Sequence, residues 1–143
     1  MKSQNIERFI EAQEGIYQAA LEEVKSGKKQ SHWMWFIFPQ IQGLGYSSMA
    51  IYYGIRNMEE AIEYLQHPIL GSQLIEISTA ILDGKETNPL ELLGFPDNLK
   101  LKSSMTLFSQ VPDAPEVFKQ VLERFFGGEV DEKTMDILGT CRR

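Results

Sequence analysis

A chain of 143 residues with 43% hydrophobic and 24% charged residues has the size and apolar content of one globular domain, and is too apolar for a disordered one. A net charge of −6 favours solubility and argues against broad nucleic-acid binding, which needs a basic surface, while no run reaches the roughly 18–20 apolar residues of a membrane-spanning helix. One cysteine, Cys141, and two histidines leave no intramolecular disulfide and too few ligands for structural zinc, so no metal or cofactor is expected, and the expected location is cytoplasmic.

The N-terminus, Met1 to Asn5, lacks the long apolar stretch and small-residue cleavage site of a secretory signal. From Gln4 to Ser26, Ile6, Phe9, Ile10, Ile16, Tyr17, Ala20, Leu21 and Val24 recur at helical spacing. Glu7, Arg8, Glu11, Glu14, Glu22 and Glu23 fall opposite, which predicts one amphipathic helix closed by Gly27. Ser31 to Pro39 follows, apolar on every side; Ser31 is a candidate cap for a short helix, and the run belongs inside the molecule. Gln40 to Gly45 reads as a loop. Ser47 or Ser48 caps a short helix over Met49 to Tyr53.

Asn57 and Glu60 have the spacing of a capping box for a helix to about Gln66. Pro68 starts another through Leu74, Ile77 and Ile81 to Gly84, and Asn88-Pro89 opens a single turn ending at Gly94. Asp97 or Asn98 caps a helix from Leu99 to Gln110, and Pro115 to Phe126 is clearly amphipathic before Gly127-Gly128. The last helix runs from Glu132 to Leu138, capped by Asp131 and stopped by Gly139. Period-2 alternation is nearly absent. The expectation is an all-α fold: one compact domain over residues 1–143, with seven or eight helices, several of them short.

Three segments carry chemistry-bearing side chains. In Ser31 to Gln40, His32 would share a helix face with Trp35 and Phe36, so the run reads either as a core plug or as an aromatic wall for a planar ligand. In the second reading Trp33 and Trp35 form the wall, and His32 is the candidate catalytic donor or base. Gly43-Leu44-Gly45-Tyr46-Ser47-Ser48 begins like a dinucleotide fingerprint. It lacks the third glycine and the preceding buried strand, and no second βα unit follows, so a Rossmann site is rejected. The third segment, Asp97 to Phe108, groups Lys100, Lys102, Ser103, Ser104 and Thr106 within about two helical turns. These groups suit a phosphate or carboxylate, unless the hydroxyls bond back to the helix and the lysines are solvated. Lys-x-x-Ser is the reverse of the Ser-x-x-Lys nucleophile motif, and a Ser-His-Asp triad lacks its elbow. His67, before Pro68, reads as an exposed turn residue.

The segments Ser31 to Gln40, Gly43 to Ser47, Tyr53-Gly54-Ile55 and Leu101 to Phe108 together resemble an uncharacterised bacterial family. This is the domain of unknown function numbered eighteen-ten, sometimes mislabelled calpastatin. The resemblance spans Phe9 to Gly139 and implies a single all-helical domain; it brings no activity and no catalytic residues. The calpastatin label conflicts with the apolar core, because such an inhibitor is a polar chain that folds on its target.

Two functions remain open. One is a site for a small anionic, nucleotide-like or ADP-ribose-like ligand, with hydrolysis at an N-glycosidic bond as a candidate chemistry. It would be built from His32, Trp33, Trp35, Gln40, Lys102, Ser103, Ser104 and Thr106, and it requires the two segments to meet in space. The other is a non-catalytic interaction module, which requires Trp33 or Trp35 to be exposed. Nucleic-acid binding would need Lys25 to Lys29 and Arg142-Arg143 on one face, and is the weakest reading.

Overall fold

Gly15 divides the expected first helix in two. The chain leaves α1 (Glu7–Gln13) through Glu14 in an extended conformation, and Gly15 then takes φ +76°, a left-handed value that favours glycine. It re-enters a helix as α2 (Tyr17–Ser26), which ends on the left-handed Gly27 as expected. The break lets α1 pack on α3 (Met34–Ile37) while α2 lies along α6 (Leu70–Asp83). This computed structural model describes residues 6–141.

The other elements are α4 (Ser48–Tyr52), α5 (Met58–Gln66), α7 (Pro89–Leu93), α8 (Asp97–Ser109), α9 (Val117–Phe126) and α10 (Glu132–Cys141). Seven of the ten described helices have at least seven residues, and α3, α4 and α7 are the short ones. Among the described residues there is no strand, only a parallel bridge between Ile41 and Ile55. The fold is therefore all-α, with its apolar helix faces buried against one another. No described helix is long and apolar enough to cross a membrane.

Local signals placed several helix starts. Ser47 Oγ accepts the Ala50 N–H, Asn57 Oδ1 that of Glu60, and Asn88 Oδ1 that of Leu90. Asp131 accepts from both the backbone N–H and the hydroxyl of Thr134 at the start of α10. His67 does more than turn the chain: its Nδ1 accepts the N–H groups of Ile69 and Leu70 before α6. Other starts differ from expectation. Helix α8 begins at Asp97 without a side-chain cap, because the Asp97 carboxylate is drawn to Lys29 and Lys100. Helix α10 continues through Gly139 to Cys141.

Helix α8 passes through the centre, against α5, α7, α9 and α10. Leu101, Met105, Leu107 and Phe108 are buried on it together with Ser103, Ser104 and Thr106. A line of ring contacts crosses the core from Phe9 to Tyr64 (5.1 Å), Tyr64 to Phe108 (5.3 Å) and Phe108 to Phe118 (6.0 Å). It ties α1, α5, α8 and α9 together through edge and tilted packing.

Arg8, expected on a polar helix face, and Glu60, expected in a capping box, both lie inside. Arg8 and Glu60 are each 3% exposed and form a two-pronged ion pair at 3.0 and 3.2 Å. Glu60 also accepts from the backbone and guanidinium of Arg56, so it completes only the Asn57 half of the expected capping box. Burial alone would raise the Glu60 pKa, but hydrogen bonds and charge from Arg8 and Arg56 prevail and lower it. Arg8 donates further to the carbonyls of Tyr52 (2.7 Å) and Gly54 (2.9 Å). Those contacts hold the chain that follows α4, where a Cβ on Gly54 would meet Ala50 O at 2.8 Å and Gln42 Cα at 2.9 Å.

Candidate functional site

The aromatic segment divides by face. Trp33, Met34, Phe36, Ile37 and Phe38 are buried, Trp35 is half-buried, and His32 is exposed ahead of α3. Glu23 sets this turn. Its Oε1 accepts from the backbone N–H groups of Gln30 (2.7 Å) and Ser31 (3.0 Å) and from Trp33 Nε1 (2.9 Å), and its Oε2 accepts from the Ser31 hydroxyl (2.6 Å). Ser31 is therefore an anchor for Glu23 and not the cap of α3. Desolvation opposes the Glu23 charge, but these bonds outweigh it and hold its pKa at about 2, against 4.5 for an ordinary glutamate. A depressed carboxylate pKa contributes stability above the unfolded value, which is lost as pH falls through the folded one. The unfolding free energy is expected to decline between pH about 4.5 and about 2, and more gently in Glu23→Gln. Equal acid slopes in urea titrations of the two proteins would refute this role.

Trp35 faces a groove of 410 Å³ shared by elements distant in sequence. Trp35 and Gln40 come from the aromatic segment; Leu44, Gly45, Tyr46, Ser47 and Ala50 come from the glycine loop and α4. Pro96, Leu99, Lys100 and Ser103 come from the start of α8, with Asp131 and Lys133 at the start of α10. The walls are fixed from behind. The Gln40 carbonyl accepts the Ile55 N–H (2.8 Å), the Gln42 N–H reaches Ile55 O (2.7 Å), and Arg8 grips the adjoining Gly54. The Lys100 ammonium lies 3.4 Å from the Trp35 ring centroid and 3.4 Å from Asp97 Oδ1.

The two motif-rich segments thus meet, although only some of the expected residues line the groove. Trp35, Gln40 and Ser103 do; Ser103 also bonds back to the Leu99 carbonyl (3.2 Å). Trp33 is fully buried beneath. Thr106 is a structural joint: its hydroxyl donates to Lys102 O (2.8 Å) and accepts the Asp131 N–H (2.9 Å). Ser104 is fully buried, and its hydroxyl has no hydrogen-bond partner among the described residues. Lys102 faces Glu129 (3.3 Å) and the Phe126 ring, on another side of α8 from Lys100.

Helical geometry accounts for the exchange of Lys102 for Lys100. Positions two apart lie on nearly opposite faces of a helix, whereas Lys100 and Ser103, three apart, share one. Lys133 and Asp131 have no local signal pointing to the groove, because α10 reaches it only through tertiary packing. Tyr46 lies in a loop recognised for its glycines, and as a residue it is 86% exposed at the groove.

A second cavity, of 640 Å³, lies at the C-terminal ends of α2 and α6, with Lys25, Lys85, Glu76, Asp83 and Glu86 among its lining residues. None of the three chemistry-bearing segments lines it. Among the described residues no group of three or more histidine, cysteine or acidic side chains is arranged to hold a metal ion. The Lys25 to Lys29 run is not a free basic face, since Lys29 pairs with Asp97 at 2.9 Å with its side chain only 8% exposed. Arg142 and Arg143 lie outside the described residues.

No curated protein matches the chain. Its structure is similar to the crystal structure of the conserved hypothetical protein Rv1873 from Mycobacterium tuberculosis, with 43% identity and a TM-score of 0.92. The match covers 95% of this chain and 97% of that one. A family model described as protein of unknown function (DUF1810) matches residues 3–138, and with this helical architecture and these motifs the chain belongs to that family.

Proposed function

We propose that the groove between α3, α4, α8 and α10 binds a small ligand that carries a planar ring and an anionic group, of nucleotide-like or ADP-ribose-like chemistry. The observation that carries this reading is the convergence of Trp35 and Gln40 with Lys100 and Ser103 on one 410 Å³ space. That volume is within the range of about 300–1,000 Å³ usual for small-molecule sites. Tyr46 offers a ring face, Trp35 a ring that Lys100 covers, and Gln40 an amide; with the Lys29–Asp97 pair behind Lys100, three ammonium groups (Lys29, Lys100, Lys133) meet two carboxylates (Asp97, Asp131). In a protein of net charge −6, that local balance favours an anion. The reading is one of binding. His32 is not among the lining residues, and Asp131 is already engaged by Thr134.

The test is a thermal-shift and calorimetry series with AMP, ADP-ribose and inorganic phosphate. A ligand at 100 times its Kd is expected to stabilise the wild type by about 2.7 kcal/mol, and Trp35→Ala is expected to lose that gain. Release of free base in the same samples would mark hydrolysis. No shift with any of the three compounds would overturn the reading.

A second reading, a non-catalytic interaction module, draws on a different surface. Met49, Ile51 and Tyr52 on α4 are 41%, 53% and 38% exposed and adjoin a shallow 520 Å³ hollow. Under that reading Ile51→Glu is the damaging change; under the first it leaves the ligand-induced shift intact.

A further inference from the structure

The face of Trp35 on which a planar ligand would stack is already occupied. At 3.4 Å from the ring centroid, the Lys100 ammonium fills the layer, about 3.5–4.0 Å deep, that a stacked ring would take. What holds it there is a short chain of charges. Asp97 is shared by two ammonium groups, Lys29 at 2.9 Å and Lys100 at 3.4 Å, with side chains only 8%, 17% and 18% exposed for Lys29, Asp97 and Lys100. One carboxylate thus answers two cations, and Lys29 has the shorter contact. Lys29 also faces the buried Trp33 ring at 5.1 Å. Lys100 is the cation left undercompensated, on a flexible stem at the groove surface.

We propose that Lys100 is the specificity-determining residue of the groove, a displaceable plug on Trp35 that rings bearing an anionic substituent remove and neutral rings do not. The inference rests on the reading of the groove as a site for planar anionic ligands. When a ring takes the Trp35 face, the ammonium gives up its cation–π contact. A phosphate on the same ligand supplies a closer, unshared anion in exchange, whereas a neutral ring supplies nothing and leaves Lys100 with its long contact to a carboxylate already engaged by Lys29. Of the other lining charges, Asp131 is held by Thr134, and Lys133 adds to the attraction for an anion but does not cover the Trp35 ring as Lys100 does. Selection for the anion is therefore built into the energy of opening the site.

AMP and adenosine carry the same base and ribose and differ in the phosphate, so they are the probes. Calorimetric titrations at one fixed ionic strength compare wild type with Lys100→Met, and with Lys100→Gln as a second surface variant; melting curves establish that each is folded. Wild type is expected to bind AMP at least tenfold more tightly than adenosine. In both variants AMP weakens at least tenfold and adenosine binds as well as or better than in wild type, so the preference falls at least tenfold, leaving only what the Lys133 charge supplies. A preference undiminished in the variants, or absent from wild type while AMP still binds, overturns the role of Lys100 and leaves the groove as a ligand site. Failure of both probes to bind any of the three proteins overturns the role of Lys100 along with the proposed function.

Discussion

Arg8→Met is expected to lower the unfolding free energy by about 3–5 kcal/mol, the loss typical of removing one partner from a buried ion pair. That is a large share of the roughly 5–15 kcal/mol that keeps such a domain folded. The guanidinium, 3% exposed, donates to both Glu60 oxygens and to the Tyr52 and Gly54 carbonyls. Methionine fills much of the volume and supplies none of those donors, so it leaves a buried carboxylate with Arg56 alone and two carbonyls without this partner. Urea denaturation measures the loss. Repeating Arg8→Met in a Glu60→Gln background is expected to cost markedly less, because the stranded charge is gone. A loss below about 1 kcal/mol, or the same loss in both backgrounds, would mean that the pair is not what anchors α1 to the chain beyond α4.

The two tryptophans are expected to separate by role. Trp33→Ala removes a fully buried ring and the donor to Glu23, and losing a buried aromatic side chain costs about 3–5 kcal/mol. Trp35→Ala removes a half-buried ring from a groove wall and should cost about 1 kcal/mol, near the centre of the range for single substitutions. The binding assays reverse the order: Trp35→Ala loses the AMP-induced thermal shift, while Trp33→Phe, which keeps most of the apolar volume, retains it. Equal destabilisation by the two alanine variants would make Trp35 a core residue and remove the aromatic wall from the site.

The first of these expectations concerns a residue that helical periodicity alone misjudges. Arg8 lies between Glu7 and Phe9, and on a continuous helix it falls on the polar side with Glu11 and Glu22. Gly15 ends that helix early, and α1, now free to turn, presents Arg8 to Glu60 from 52 positions away. Nothing near Arg8 in sequence encodes that meeting. Helix α8 shows a related effect. Its hydroxyls and lysines read as one cluster within two turns, yet packing on several sides divides them. Ser104 and Thr106 enter the core, Lys102 turns to Glu129, and Lys100 and Ser103 remain at the groove. Ser103 and Thr106 return their hydroxyls to helix carbonyls, which is how polar groups are carried into an apolar centre at small cost.

What the residues determined by themselves is the helical character and much of its punctuation. Asn57, Asn88, Ser47 and Asp131 act on N–H groups two or three positions away, and Gly27 and Gly127 end helices through their own backbone angles. Such interactions span one turn, so a short stretch of chain contains all their parts. The density of aromatic rings from Trp33 to Phe38 likewise marked a buried centre, because that much apolar surface has no stable place in water. Only the tertiary structure decided which ring became core and which became wall, which lysine faced the groove, and where two charges were buried. Those outcomes depend on helix faces brought together from far apart in the chain, 52 positions in the case of Arg8 and Glu60, and contact of that kind is a property of packing, not of any local stretch of the chain.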